Sequence, residues 1–226
     1  MNPGHLDTLL FAVLPYVAFF TFFLVTIERY RRQSFSYSSL SSQFLENQKH
    51  FWGMVSFHYG ILFVLVGHVV AFLLPREILA WNSHPLRLYV LEVSALVAGL
   101  LTAFGLTAAL LRRLTVSKVT QVTGTVDWIL YGLLILQVTN GLAVAVLYPW
   151  GSSWFAASAA PYLWSLLLLN PDIGSVTALP LLVKSHIVGA YVLIGFFPFT
   201  RLVHVLVVPN PYLWRRPQVV RWYRRA

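Results

Sequence analysis

The chain predicts an all-α membrane protein with five transmembrane helices, and three observations carry that expectation. Of its 226 residues, 58% are hydrophobic and only 10% are charged, with a mean hydropathy of +0.71. Soluble domains average about 45–50% apolar and about 25% charged. Five apolar runs reach the roughly 20 residues a helix needs to cross hydrocarbon. The basic residues sit between these runs, strongly biased to one side. Residues 1–226 read as a single integral-membrane domain with no internal repeat and no soluble domain.

The spans fall at about 8–28, 51–74, 88–111, 126–148 and 181–207, followed by a tail over 208–226. The first is too long for a signal-peptide core and lacks a basic leader and a small-residue cleavage site, so it reads as a retained helix. The second carries His58 and His68. The third ends on Arg112-Arg113. The fourth starts behind Asp127, which precedes Trp128 and caps the helix. The longest connection, about 149–180, holds Trp150, Trp154, Phe155, Trp164 and the run Leu166 to Leu169. It reads as a short interfacial helix, a lid over one face. The fifth span carries His186 and His204, with Pro198 between them. Pro198 cannot donate to the Ile194 carbonyl and should kink the helix.

Lysines and arginines set the orientation. Arg29, Arg31, Arg32 and Lys49 follow span one; Arg112, Arg113 and Lys118 follow span three; Arg201, Arg215, Arg216, Arg221, Arg224 and Arg225 close the chain. The other side has only Arg76, Arg87 and Lys184. The positive-inside rule puts the N-terminus outside and the C-terminus in the cytoplasm, and Trp52, Trp81, Trp128 and Trp150 fall at span ends as an aromatic belt requires. The net charge of +9 does not point to nucleic acid, because the basic residues flank apolar runs and form no single soluble surface. The basic, aromatic tail around Arg215-Arg216 and Arg221-Trp222-Tyr223-Arg224-Arg225 suits a soluble partner or anionic lipid.

Four histidines lie inside spans, and an imidazole in hydrocarbon defaults to a functional role. Spans two and five run antiparallel. His58 therefore pairs with His204 toward the cytoplasm, and His68, about 15 Å further out, pairs with His186. Two bis-histidine sites between two helices point to two haems, hence to a dihaem helical bundle. The chain has no cysteine, so iron here must be held by histidine. With both axial positions filled, electron transfer is the natural role. Each ligand needs a partner for its second nitrogen, commonly a carbonyl one turn back. The propionates should seek cations, with Arg112, Arg113 and Arg201 as candidates at the inner site and Arg87 and Lys184 at the outer. Gly60, Gly67 and Gly189 beside the ligands leave room for a macrocycle or serve helix contact. His5 and His50 read as ordinary interface residues.

These residues resemble the gamma subunit family of respiratory nitrate reductase. Phe57-His58-Tyr59-Gly60-Ile61-Leu62 with Gly67-His68 is similar to that family's second span. Phe197-Pro198-Phe199-Thr200-Arg201-Leu202-Val203-His204, then Pro209 and Tyr212-Leu213, is similar to its last span and tail. Leu111-Arg112-Arg113-Leu114 and Thr123-Gly124 with Asp127 add to the likeness, which covers nearly the whole chain.

The resemblance implies two b haems, an inner one on His58 and His204 and an outer one on His68 and His186. It implies oxidation of a membrane quinol, menaquinol or ubiquinol, near the outer haem. Electrons then pass to an iron–sulfur beta subunit and a molybdenum alpha subunit on the cytoplasmic side of a prokaryotic inner membrane, in anaerobic respiration. The basic residue that assists quinol binding in the family is usually lysine. Here it is Arg87, aligned only by allowing a one-residue gap. Gly67 and His84 belong to the same candidate quinol site. Glu92 and His84 are possible proton acceptors, although Glu92 also suits an interfacial role. A related dihaem subunit of a sulfur-compound or heterodisulfide oxidoreductase would look similar. A non-redox transporter or scaffold would use the histidines as relays or packing groups.

Overall fold

In the computed structural model, residues 3–33, 36 and 48–207 are described, and every element among them is helical. The tail over 208–226, with Pro209, Tyr212, Leu213 and its arginines, lies outside the described residues, as do the side chains of Lys49 and His50. Five helices are long and apolar enough to cross a membrane: Gly4–Gln33, Trp52–Leu73, Pro85–Thr115, Thr125–Leu147 and Leu181–Phe199.

The first of them joins α1 (Pro3–Thr8) to α2 (Leu14–Gln33) through one π-helical segment, Leu9–Val13. Pro15 causes the irregularity: it has no N–H to return to the preceding turn, and its ring crowds the carbonyl four residues back. That carbonyl, on Phe11, accepts a hydrogen bond from the Tyr162 hydroxyl at 2.7 Å. A freed carbonyl in hydrocarbon must find such a donor.

Helix α3 (Gln48–Leu73) lies along α5 (Pro85–Thr115), linked by the short α4 (Pro75–Asn82). Pro75 and Pro85 each open their helices, where a missing N–H costs nothing. Small residues bring α3 and α5 together. A Cβ on Gly60 would lie 2.6 Å from the Ala98 carbonyl and the Thr102 amide, and one on Gly105 would run into the Phe57 backbone. Gly60 thus serves helix contact and makes no room for a cofactor. After α6 (Ser117–Gln121), α7 (Thr125–Leu147) packs against α5 and against α11 (Leu181–Phe196). Helix α11 also packs against α2. The order around the bundle is α3, α5, α7, α11, α2, and among the described residues α3 is not closely packed on α11.

The connection after α7 is more than an interfacial helix. Helix α8 (Gly151–Trp154), a π-helical stretch (Phe155–Ala159) and α9 (Ala160–Leu167) follow one another without a break, and α10 (Gly174–Thr177) precedes α11. Ala156, Ala159, Ala160, Tyr162 and Leu166 are buried, so the segment is wedged into the end of the bundle. Tyr162 joins a core of Phe11, Ala18, Leu166, Val176 and Tyr191, and the Tyr191 hydroxyl donates to the Tyr162 hydroxyl at 3.1 Å.

The kink expected at Pro198 is a full break. Helix α11 stops at Phe196 and a 3-10 turn covers Phe197–Phe199. Thr200 is extended, and a 3-10 turn over Arg201–Val203 and α12 (His204–Val207) follow it. Thr200 caps the restart by accepting the Leu202 amide at 3.1 Å.

Candidate functional site

The four histidines expected within spans are not treated alike, and His204 lies on α12, past the end of the fifth long apolar helix at Phe199, so the span expected over 181–207 stops short of it. In α3, His58 Nδ1 bonds the Met54 carbonyl at 2.7 Å, and His68 Nδ1 bonds the Val64 carbonyl at 2.8 Å. Each uses the carbonyl four residues back, whose remaining lone pair lies within reach of a ring one turn on. In α12, His204 Nδ1 bonds the Arg201 carbonyl at 2.6 Å. In these three rings Nδ1 faces a backbone carbonyl, so Nε2 is the nitrogen left to face outward from the bond. His186 is the exception: its Nδ1 is buried and has no partner.

Helix α7 seats His186. A Cβ on Gly141 would stand 2.9 Å from the His186 Cε1, so the ring occupies space that only glycine leaves. Gln137 Nε2 donates to the His186 carbonyl at 3.0 Å, and its side chain fills the place a Gly189 side chain would need. Asn140 Nδ2 donates to Ser185 Oγ at 3.2 Å, and Ser185 Oγ donates to the Leu182 carbonyl at 2.8 Å. None of these α7 residues stands out in the sequence, since a glycine and two amides inside a span look like ordinary helix-packing residues.

His68 stands on α3 and His186 on α11, two helices that are not closely packed on each other among the described residues. Among the described residues, no hydrogen bond or ring contact joins His58 to His204. Among the described residues no three His, Cys, Asp or Glu side chains gather at one point.

Around His204, arginines are engaged within the chain. Arg201 forms a double ion pair with Asp127, Nε to Oδ1 at 2.7 Å and Nη2 to Oδ2, with both side chains largely buried. Asp127 also accepts the Gly124 amide at 3.1 Å, closing the first turn of α7. Arg113 donates to the Tyr131 hydroxyl at 3.0 Å and to Thr123 Oγ1 at 2.7 Å, and Arg112 is buried beside it. Arg29 donates to the carbonyls of Pro198 and Thr200, the groups the helix break exposes. In the sequence Arg29 looked only like a topology charge; the signal was Pro198, whose break needs a donor.

At the His68 end, Phe155 of the π-helical stretch stands edge-on to the His68 ring, centroids 5.5 Å apart. Trp164 stacks on Phe72 at 5.0 Å and donates to the Phe72 carbonyl at 3.0 Å. Glu92 Oε1 accepts from the Ser152 amide at 2.8 Å and hydroxyl at 2.6 Å. Asn82 donates to both Ser152 and Ser153. Arg87 is exposed, its guanidinium 5.4 Å from the centre of the Trp81 ring. His84 is exposed at the N-cap of α5 and makes no capping bond. The place where a Gly67 Cβ would stand has no atom within 4 Å, so α3 has an open side next to His68. Lys184 is paired with Asp7 at 3.2 Å.

A family model described as nitrate reductase gamma subunit matches residues 7–223. The nitrate reductase gamma chain of Bacillus subtilis (strain 168) is 31% identical over 216 residues, covering 94% of this chain and 97% of that protein. The respiratory nitrate reductase 2 gamma chain of Escherichia coli (strain K12) is 31% identical over 229 residues, covering 96% and 97%. A nitrate reductase-like protein of Mycobacterium tuberculosis (strain ATCC 25618 / H37Rv) is 28% identical over 212 residues, 92% of this chain but 32% of that protein. A match over nearly the full length means that the chain belongs to the nitrate reductase gamma subunit family.

Proposed function

We propose that this chain is the dihaem cytochrome b subunit of a respiratory nitrate reductase: it oxidises membrane quinol and passes the electrons to its catalytic partners. The observation that carries the reading is the set of four imidazoles on α3 and on the α11–α12 arm, three of them with Nδ1 bonded to a carbonyl. That donor set would suit haem iron held by imidazole nitrogens, and a chain without cysteine offers no thiolate in competition. His58 and His204 would hold one haem, His68 and His186 the other. When bound, the haems supply one-electron carriers between a two-electron donor and one-electron acceptors.

The chain's own groups do the rest. Phe155, Phe72 and Trp164 exclude water from the His68 end and offer flat apolar faces to a quinol ring. The open side at Gly67 lets that ring approach. Arg87 supplies a fixed positive charge for a quinol oxygen, where a lysine would supply a point charge able to deprotonate. Glu92 holds Ser152 through Oε1, leaving Oε2 to take a proton, and His84 is a second acceptor near water. The quinol end faces outward, and the arginine-rich end meets an iron–sulfur beta subunit and a molybdenum alpha subunit in the cytoplasm. The membrane is the prokaryotic inner membrane.

A dithionite-reduced minus oxidised visible spectrum of the purified protein, with haem counted per chain, tests the reading. Two low-spin b haems are expected, and one should be lost in His68→Ala or His186→Ala. A chain expressed with ample haem that shows no haem bands would leave only a transporter or scaffold.

A further inference from the structure

His58, His68 and His204 each anchor Nδ1 on a backbone carbonyl, and His186 does not. The reason is local. The carbonyl four residues before His186 is that of Leu182, and a carbonyl oxygen has two lone pairs. Within a regular helix one of them takes the amide of residue i+4, here His186 itself. At His58 and His68 the other lone pair takes the ring. At His186 it takes the Ser185 hydroxyl, 2.8 Å away, and Ser185 is held from α7 by Asn140. The ring is positioned instead by packing into the glycine gap at Gly141 and by the Gln137 bond to its own backbone.

We propose that Ser185 is a positioning residue that withholds the Leu182 carbonyl from His186 and so makes this imidazole the weakest electron donor of the four axial ligands. The inference rests on the haem-ligand reading above. An Nδ1–H bonded to a carbonyl gives the ring partial imidazolate character and raises its basicity as a ligand. A more basic axial ligand favours ferric iron. Without that bond, the haem on His68 and His186 is easier to reduce than its ligand types alone dictate.

Ser185→Ala removes the competitor and leaves the Leu182 lone pair to the ring. The substitution suits a helix, since alanine has the higher propensity. Ser185→Thr keeps a hydroxyl at the same place. The experiment is a redox titration of both haems in the detergent-extracted complex, read optically and by the low-spin ferric signals in electron paramagnetic resonance. A His68→Ala chain identifies which signal belongs to which site. In Ser185→Ala the His68/His186 haem should become harder to reduce by about tenfold in its oxidised-to-reduced ratio, about 59 mV for one electron. The His58/His204 haem should not move, and Ser185→Thr should titrate as the parent does. An unmoved outer haem, a parallel shift of both haems, or an equal shift in Ser185→Thr overturns the proposal while leaving the haem reading intact. A parent protein without two b haems overturns both.

Discussion

At Gly141 the His186 ring stands where a side chain would be, and that contact decides what a single methyl does. Gly141→Ala forces the ring aside or α7 away, a typical overpacking strain of about 1–3 kcal/mol. Under the proposed function, haem per chain should fall from two toward one, with the loss confined to the proposed His68/His186 site. Asp127 makes the matching case at the other end. Its ion pair with Arg201 is largely buried, and removing one partner of such a pair costs about 3–5 kcal/mol. Asp127→Asn should therefore lower thermal stability in detergent and weaken haem retention at His204, whose Nδ1 depends on the Arg201 carbonyl. An unchanged melting profile would show the pair to be dispensable. The capping role of Asp127 was legible in the sequence, because a polar residue beside an apolar run needs a reason. Gly141, Gln137 and Arg29 were not. Their roles depend on which helix lies opposite, and neither a missing side chain nor a juxtamembrane arginine reveals its neighbour.

The elements owe their irregularities to prolines answered from afar. Pro15 frees the Phe11 carbonyl, and Tyr162, 151 residues later, supplies the hydrogen bond. Tyr162→Phe leaves that carbonyl buried and unsatisfied, a loss of about 1–3 kcal/mol that thermal unfolding should register. Burial pushes the Tyr162 phenol up from 10 to about 12, against a smaller opposite effect of the Tyr191 hydroxyl. A proton bound more tightly in the folded state stabilises fully below the unfolded value and is lost as pH rises through the folded one. This contribution should therefore vanish between about pH 10 and 12, and Tyr162→Phe should flatten that part of the alkaline stability curve. The helical spans could be read from hydropathy, which registers length and apolar content alone. The π-helical stretches and the burial of α9 could not, because each depends on a partner distant in sequence. The kink expected at Pro198 understated the outcome for the same reason: Arg29 and Thr200 together stabilise a complete break.

For the whole molecule, sidedness is the property with consequences. The chain is free of cysteine, so single substitutions report position without background. An impermeant thiol reagent added to intact cells should label Ser83→Cys and spare Ser117→Cys, both exposed between spans; the reverse pattern would invert the orientation. Under the proposed function, quinol oxidation outside with electron delivery inside would separate charge, so reconstituted complex should build a membrane potential during turnover. Electroneutral turnover would contradict that arrangement. The break at Thr200 has a mechanical side as well. An unbroken helix is a shaft: a twist applied at His186 would arrive at His204, and re-aiming one ligand would mis-aim the other. With the shaft parted and its far piece clasped by Arg29 and by the Asp127–Arg201 pair, a twist of α11 is expected to stop at the joint. His186 on α11 and His204 on α12 thus stand on separate helical pieces, and a substitution beside one is expected to leave the other's position unchanged.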